Sequence, residues 1–595
     1  MSINIDESIM EAPRRHAADF AVASLAKEIA LLLHPTQKDP LGSLIRYEKD
    51  IVKLRRVVIK QRKRTIENAT KRKELGNMDY MILRQGPWDP INDPVTLKGP
   101  PSFPMPVKIA EPEALEPFFE HLRLGGSNVR SSTAQGSENA TETEEPYYGT
   151  KTLEFQKGVL YSDRRMDLCK MVLGPPNIGA LLESLKSNEF VTHFLLGNNL
   201  IGPHGAKCIA DFVHEYPNRM ETWYLAGNCI DAQSFELLVD EWVESSAVTN
   251  IWLKRNPLLP AASDDVFRLI TKTPNLRTLD LDQTEIGDAG VADSFSKLAK
   301  HDLDKPLSLR HLYLNGLGIG VKAAIAIAKY VALPNCRLES LYVSNNPLGS
   351  AGVEILAAGL RKNRSLSRLT LASVGMWDDG AITLCAALSG HPCLKTLDIG
   401  QSYATLDLET RYNWITDRSA PVISDLITSS PQLTYLEIGP SPVTHTGLVT
   451  ILEAVLQSST LLFFAGRTIH PQSKSAMAVS AGQKYSKVSQ QAQEKLMANV
   501  QQVYGVDMAY GKFLAEEKRW LVNATDVRKI DSVYRNRDAM LARRGLKKLD
   551  KWWDKDDKTL EEVMKGAVGP VCTKRLNIVG PVCTRSQSVS ISNAT

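Results

Sequence analysis

No run in this 595-residue chain is apolar for long enough to cross a membrane. The nearest approach, ADFAVASLAKEIALLL at residues 18–33, carries Lys27 and Glu28 and reads as an amphipathic helix. The opening MSINIDESIMEAPRRH has acids and no apolar core, so it predicts no secretory signal. Cysteine is scarce, eight in all, and none stands at metal-ligand spacing. Cys208, Cys229 and Cys385 fall at helix or turn positions and are expected to be small buried hydrophobes. These absences predict a reducing compartment, cytoplasmic, nuclear or both, and not a secreted protein. An excess of one charge is also missing. Lys and Arg number 71 against 67 Asp and Glu, for a net +4, so bulk composition does not make a polyanion binder and any electrostatic effect must be local. The sequence has no P-loop, no Gly-x-Ser-x-Gly, no His-Glu-x-x-His and no dinucleotide fingerprint. His193 and His311 fall at outward strand positions with no nucleophile at a recognisable spacing. No catalytic residue, metal ligand or cofactor is expected, and the protein is read as a non-enzyme.

What the sequence does have is repetition. LESLYVSNNPLGSAGVEILAAGLRKNRS, from Leu338 to Ser365, is followed in frame by LSRLTLASVGMWDDGAITLCAALSGHPC. Repeat frames begin at Val191, Met220, Val248, Leu276, Leu309, Leu338, Leu366, Leu394, Leu433 and Leu461. Most steps are roughly 28 residues, and the steps after Leu276 and Leu394 are longer. Each unit carries L-x-x-L-x-L, a strand, followed by a turn and a Leu-rich helix. One such unit cannot bury its apolar face alone, and stacking builds a continuous core. An Asn eight residues after the frame start recurs at Asn199, Asn228, Asn256 and Asn346, where a buried amide satisfies backbone groups of the turn. Thr284, Leu317, Val374, Ser402 and Ser441 replace it elsewhere. After it comes a Gly turn into the helix: IGPHGA at Ile201, IGDAGV at Ile286, LGSAGV at Leu348.

With this period and this turn, residues 166–470 resemble the long-repeat leucine-rich-repeat class typified by ribonuclease inhibitor, which also includes the Ran GTPase-activating protein and the sensor domains of innate-immune receptors. The resemblance implies an α/β leucine-rich-repeat solenoid, a horseshoe with a parallel concave sheet and convex helices, plus helical N- and C-terminal flanks. For function the repeat type says little by itself, and two readings are carried. One is a protein-protein interaction scaffold that binds through the concave face. The alternative is a GTPase-activating or GTPase-binding regulator with a small GTPase as partner, although the basic C-terminal flank differs from the acidic segment of the Ran GTPase-activating protein.

Outside the repeats, residues 1–85 predict a helical basic region. Between Arg46 and Lys73 there are twelve Lys/Arg and three Asp/Glu, which fit a solvated helix face, a nuclear-import signal or a nucleic-acid arm. No aromatic residues interleave with them, so nucleic acid is not the expected partner. Residues 86–150 read as a Pro-rich and then disordered linker, although GPWDPINDP and GPPSFPMP also suit an extended strap along the solenoid. The solenoid spans 151–470. Residues 471–560 predict a helical C-terminal region with Val488, Ala492, Leu496, Val500 and Val503 on one face, and 561–595 a disordered tail.

Alternation along each strand assigns the outward column Leu195, Tyr224, Trp252, Asp280, Tyr313, Tyr342, Thr370, Asp398, Glu437. Two residues on it continues as Gly197, Ala226, Lys254, Asp282, Asn315, Ser344, Ala372. Strands ~4.8 Å apart place Tyr224 beside Trp252 and Tyr313 beside Tyr342, with Asp280 between the pairs. Aromatic anchors among a few charges suit a protein partner, so Tyr224, Trp252, Lys254, Asp280, Asp282, His311, Tyr313 and Tyr342 are the candidate partner-binding residues. Two other readings stay open: aromatic residues suit strands in any case, and the chain's own N-terminal segment covers this face. The long step after Leu394 places its surplus in QSYATLDLETRYNWITDRS, a second contact surface or a neutral loop.

Overall fold

The computed structural model describes residues 78–102, 109–130, 140–144, 149–301, 306–471, 475–515, and positions 530 and 532. The basic stretch 46–73, most of the C-terminal region and the tail lie outside the described residues. The chain divides into two compact units, one comprising residues 1–70, 103–241 and 530–574, the other 71–102, 242–529 and 575–595.

In the first unit four short strands open the sheet: β1 (Thr141–Glu144), β2 (Lys151–Glu154), β3 (Val159–Tyr161) and β4 (Arg165–Asp167). They pair antiparallel in sequence order. β4 is also the first repeat strand, parallel to β5 (His193–Leu195), which is parallel to β6 (Thr222–Tyr224). A repeat stack must end somewhere, and an exposed parallel edge invites mispairing; here a hairpin meander covers it. Arg165 is fully buried, its guanidinium 4.0 Å above the Tyr161 ring and 2.9 Å from Asp163. The helix Pro112–Arg123 turns Leu115, Phe118, Phe119 and Leu122 inward and packs on the helix Gly174–Lys186.

Among its described residues the second unit contains eight parallel strands: β7 (Asn250–Trp252), β8 (Thr278–Asp280), β9 (His311–Tyr313), β10 (Ser340–Tyr342), β11 (Arg368–Thr370), β12 (Thr396–Asp398), β13 (Tyr435–Ser441) and β14 (Phe463–Thr468). Their register equates the same frame position in every repeat, as in Leu341 with Leu312 and Leu369. Leu338, Leu341, Val343, Leu366, Leu369 and Leu371 are all fully buried. Each repeat helix packs on the next, as Gly287–Lys300 does on Val321–Val331 and that helix on Gly349–Leu360. The first turn glycine has the left-handed conformation that the repeat turn predicts, for example Gly287 at φ +70°.

The long helix Ala476–Tyr504 closes the stack with Val488, Ala492, Leu496 and Val500 buried. Val503 departs from the expected face and is 60% exposed. Four residues beyond Val500 is Tyr504, and it is Tyr504 that meets Phe513, 5.9 Å between ring centroids. Asn499 on this helix donates to the Ser458 and Leu461 carbonyls, at 3.0 and 2.8 Å, and so terminates the last repeat's hydrogen bonds.

Residues 78–102 lie along the second unit as a strap. The helix Met78–Gln85 buries Ile82 against Tyr412 and Ile469. Gln85 exchanges two hydrogen bonds with the Tyr412 backbone, at 2.8 and 3.0 Å. Trp88 is 4% exposed and covers Gly349 and Gly375. The Leu97 carbonyl accepts the Asp288 N–H at 2.9 Å. Gly318, at φ +79°, meets the strap so closely that a Cβ there would stand 2.3 Å from the Gly99 nitrogen. The strap follows the turns at the strand exits.

Candidate interaction face

The outward column of the second unit has the register that alternation predicts: Trp252 opposite Asp280, Asp280 opposite Tyr313, Tyr313 opposite Tyr342, Tyr342 opposite Thr370, and Thr370 opposite Asp398. Side-chain packing then departs from nearest-neighbour order. Trp252 reaches past Asp280 to Tyr313, 5.0 Å between ring centroids at a 48° tilt. Tyr313 lies flat on Tyr342 at 4.1 Å and 6°. Arg368, which the sequence reading did not single out, donates from Nη1 to the Tyr342 hydroxyl at 3.0 Å. The register could have found it, because Arg368 pairs with Ser340 on β10. Burial, with Tyr342 beside it, pushes the Tyr313 phenol up.

A polar rail runs beside the rings at the strand exits. The Asp282 carboxylate accepts Lys254 Nζ at 3.1 Å, the Asn315 N–H at 2.7 Å and Asn315 Nδ2 at 3.1 Å. Asn315 Oδ1 accepts the Ser344 N–H at 2.8 Å, and Ser344 Oγ the Ala372 N–H at 2.9 Å. Five successive repeats are thereby tied by side chains as well as by the sheet. His311 bonds through Nδ1 with Ser340 Oγ at 3.0 Å.

Exposure sorts the candidate residues. Trp252, Asp280 and Asp282 are each 4% exposed, so Trp252 is a support under Tyr313 and not a freely protruding anchor. Lys254, His311, Tyr313 and Tyr342 keep part of their surface in solvent. Tyr224 is 7% exposed and belongs to the first unit, where its ring lies over Gly197 so closely that a Cβ there would stand 2.4 Å from it. His193, buried beside Thr222, bonds with that residue's Oγ1 at 3.0 Å.

Burial, reinforced by the neighbouring Asp282 charge, raises the Asp280 carboxyl well above the ordinary carboxylate range. A raised folded-state pKa means that the folded chain holds the proton more tightly than the unfolded one, so stability falls as pH rises from the unfolded value. Asp280→Asn keeps an oxygen for the Asp282 N–H, which Asp280 Oδ1 accepts at 2.9 Å. The variant is therefore expected to melt higher than the parent at pH 7, with the gap shrinking toward pH 4. A gap that is constant or grows toward pH 4 in thermal scans would contradict this.

The over-long repeat supplies a residue that frame counting missed. Asn413, fully buried, accepts the Val374 and Met376 N–H groups at 3.0 and 3.2 Å and donates to the Leu371, Ile399 and Gly400 carbonyls at 2.9, 2.9 and 3.1 Å. Asn346 serves Leu317, Ile319, Leu314, Val343 and Ser344 in the same way. Ser402 holds the counted position, and the insertion returns the chain with an Asn eleven residues later. Of the insertion's aromatics, Tyr412 is buried under the strap, Trp414 bridges to Trp377 and Tyr403 is 54% exposed.

Among the described residues no cluster of three His, Cys, Asp or Glu could hold a metal ion, and no helix is long and apolar enough to cross a membrane. Cys385 is buried, which pushes its thiol up to about 12. Cys208 and Cys229 are only partly buried, a departure from expectation; Cys208 stands one helical turn from His204, 3.6 Å away, on an open part of its helix.

Residues 272–293 match the Leucine Rich repeat family model. The chain is similar to the ribonuclease inhibitor of Mus musculus, 23% identical over 299 residues, covering 50% of this chain and 62% of that one. It is similar to the ribonuclease inhibitor of Sus scrofa, 24% identical over 302 residues, covering 47% and 58%. It is also similar to NACHT, LRR and PYD domains-containing protein 3 of Bos taurus, 25% identical over 254 residues, covering 42% and 23%. The chain spans less than two thirds of the length of each of these relatives. Period, strand register, buried Leu columns and asparagine-bonded turns agree with these similarities: the chain is a stack of leucine-rich repeats similar to those of the ribonuclease inhibitors.

Proposed function

We propose that this protein is a non-enzymatic scaffold that binds a protein partner through the outward face of its repeat strands. The observation that carries the reading is the Tyr313–Tyr342 stack, partly exposed, backed by Trp252 and fixed at its hydroxyl edge by Arg368. Rings held in one conformation lose little entropy on binding, and Tyr, Trp and Arg dominate interface energetics. Lys254 and His311 flank the stack as the polar rim. The relatives named as ribonuclease inhibitors act on a protein, which supports the same class of function here.

The test is affinity capture with the full chain, followed by titration of the partner recovered. Tyr313→Ala with Tyr342→Ala is expected to weaken that partner by at least ~30-fold, the equivalent of ~2 kcal/mol. Unchanged affinity in the double variant would remove this face from the reading. Acceleration of GTP hydrolysis by a hundredfold or more, in a single-turnover assay over a panel of small GTPases, would replace the scaffold with a GTPase regulator, for which gains of ~10³–10⁵ are usual.

A further inference from the structure

A second surface of the same unit carries chemistry that the ring stack does not use. It lies at the strand-entry edge, at the frame positions just before and after the first Leu of each repeat. Two hollows of about 480 and 430 Å³ open there, and both are lined by Arg310 and Glu339, so they form one groove crossing successive repeats. Its cations are Arg277, Arg310, Arg337 and Lys395, against the single carboxylate of Glu339 among the lining residues. A chain with a net charge of only +4 thus concentrates four positive groups along one edge.

Several of the groove's other polar groups are already committed. The backbone carbonyls of Arg277 and Arg310 accept N–H groups from the adjoining strands. Ser365 and Ser367 donate their hydroxyls to the Leu338 and Glu339 carbonyls, at 2.9 and 3.0 Å. Arg310 is held in place by the Leu307 and Leu309 carbonyls at 2.9 and 3.0 Å and lies 3.5 Å from Glu339. Burial lowers the Arg310 pKa; the Glu339 carboxylate opposes that shift, and the nearby Arg337 and Arg277 charges add to it, so the cations still press on one another. An incoming anion would relieve that repulsion.

We infer that this groove binds an extended acidic segment of a partner protein, lying across the strand entries from Arg277 to Lys395. From β8 to β12 is four strand spacings, roughly 19 Å, and an extended peptide covers that distance in about six residues. Single-stranded nucleic acid fits less well. No aromatic side chain lines the groove for base stacking, and Glu339 at its centre would repel a continuous phosphate backbone. In a peptide complex the same carboxylate accepts a backbone N–H.

The probe is a fluorescein-labelled decapeptide of alternating Glu and Ser, titrated by anisotropy into the full chain at low and moderate salt, beside a Lys-Ser decapeptide and a decauridylate. Saturable binding of the acidic peptide is expected, weakened by salt. Arg337→Glu with Lys395→Glu, both on exposed side chains, is expected to reduce its affinity roughly tenfold or more, while Tyr313→Ala leaves it unchanged. Failure of the acidic peptide to bind overturns the proposal. So does binding that survives the charge reversals, which would place it on another basic part of the chain, and so does tighter binding of decauridylate than of the peptide. Melting temperatures of the variants within a few degrees of the parent show that a loss is not unfolding.

Discussion

Asn413→Ala is expected to destabilise the second unit by roughly 2–6 kcal/mol, while Ser402→Ala, at the position the repeat frame assigns to this role, costs little. The size follows from hydrogen-bond accounting. Truncation strands the buried Val374 and Met376 N–H groups and removes a donor from three carbonyls. Each buried group left unsatisfied costs ~1–3 kcal/mol. These groups lie away from bulk solvent, since Asn413 is 0% exposed. Ser402 is partly exposed and, among the described residues, its hydroxyl accepts the Ala404 N–H alone, at 3.1 Å. Urea titration gives the midpoint shift, and amide exchange across residues 371–376 localises it. Equal effects of the two substitutions would mean that the insertion does not restore the asparagine ladder.

Leu341→Ala and Leu369→Ala are each expected to cost ~2–5 kcal/mol, because a buried Leu truncated in a stacked core leaves a cavity that neighbouring repeats fill only in part. Both side chains are 0% exposed and lie opposite each other on adjacent strands. Their double variant is expected to depart from additivity, since the two cavities share a wall. Repeat stacks unfold by neighbouring units as well as globally, so exchange of the β10 and β11 amides is the readout to set beside the denaturation midpoint. Unchanged midpoints in both single variants would place these residues outside the core and overturn the repeat frame.

Much of this molecule is written in short-range periodicity. A regular step with Leu at three frame positions specifies which side of each strand faces the helices, because side chains alternate and every repeat uses the same frame. The left-handed Gly287 and the buried Asn199, Asn228, Asn256 and Asn346 follow from the same local pattern. The pairing of Tyr313 with Tyr342 does too, because adjacent frames put equivalent positions on adjacent strands.

Other features depend on partners that no local pattern names. Trp252 and Tyr313 share a face by alternation, but which ring lies over which is decided by side chains of different length filling the space above Asp280. Asn413 escapes frame counting because an insertion moves it along the chain and returns it to the same place in space. The segment from Met78 to Ser102 has the composition of a linker or of a strap. Ile82 and Trp88 decide between them by burying against Tyr412, Gly349 and Gly375, all distant in sequence. Alternation determines the direction in which a side chain leaves the strand; whether water or another part of the chain meets it there is a tertiary matter, because burial depends on contacts that sequence spacing does not encode.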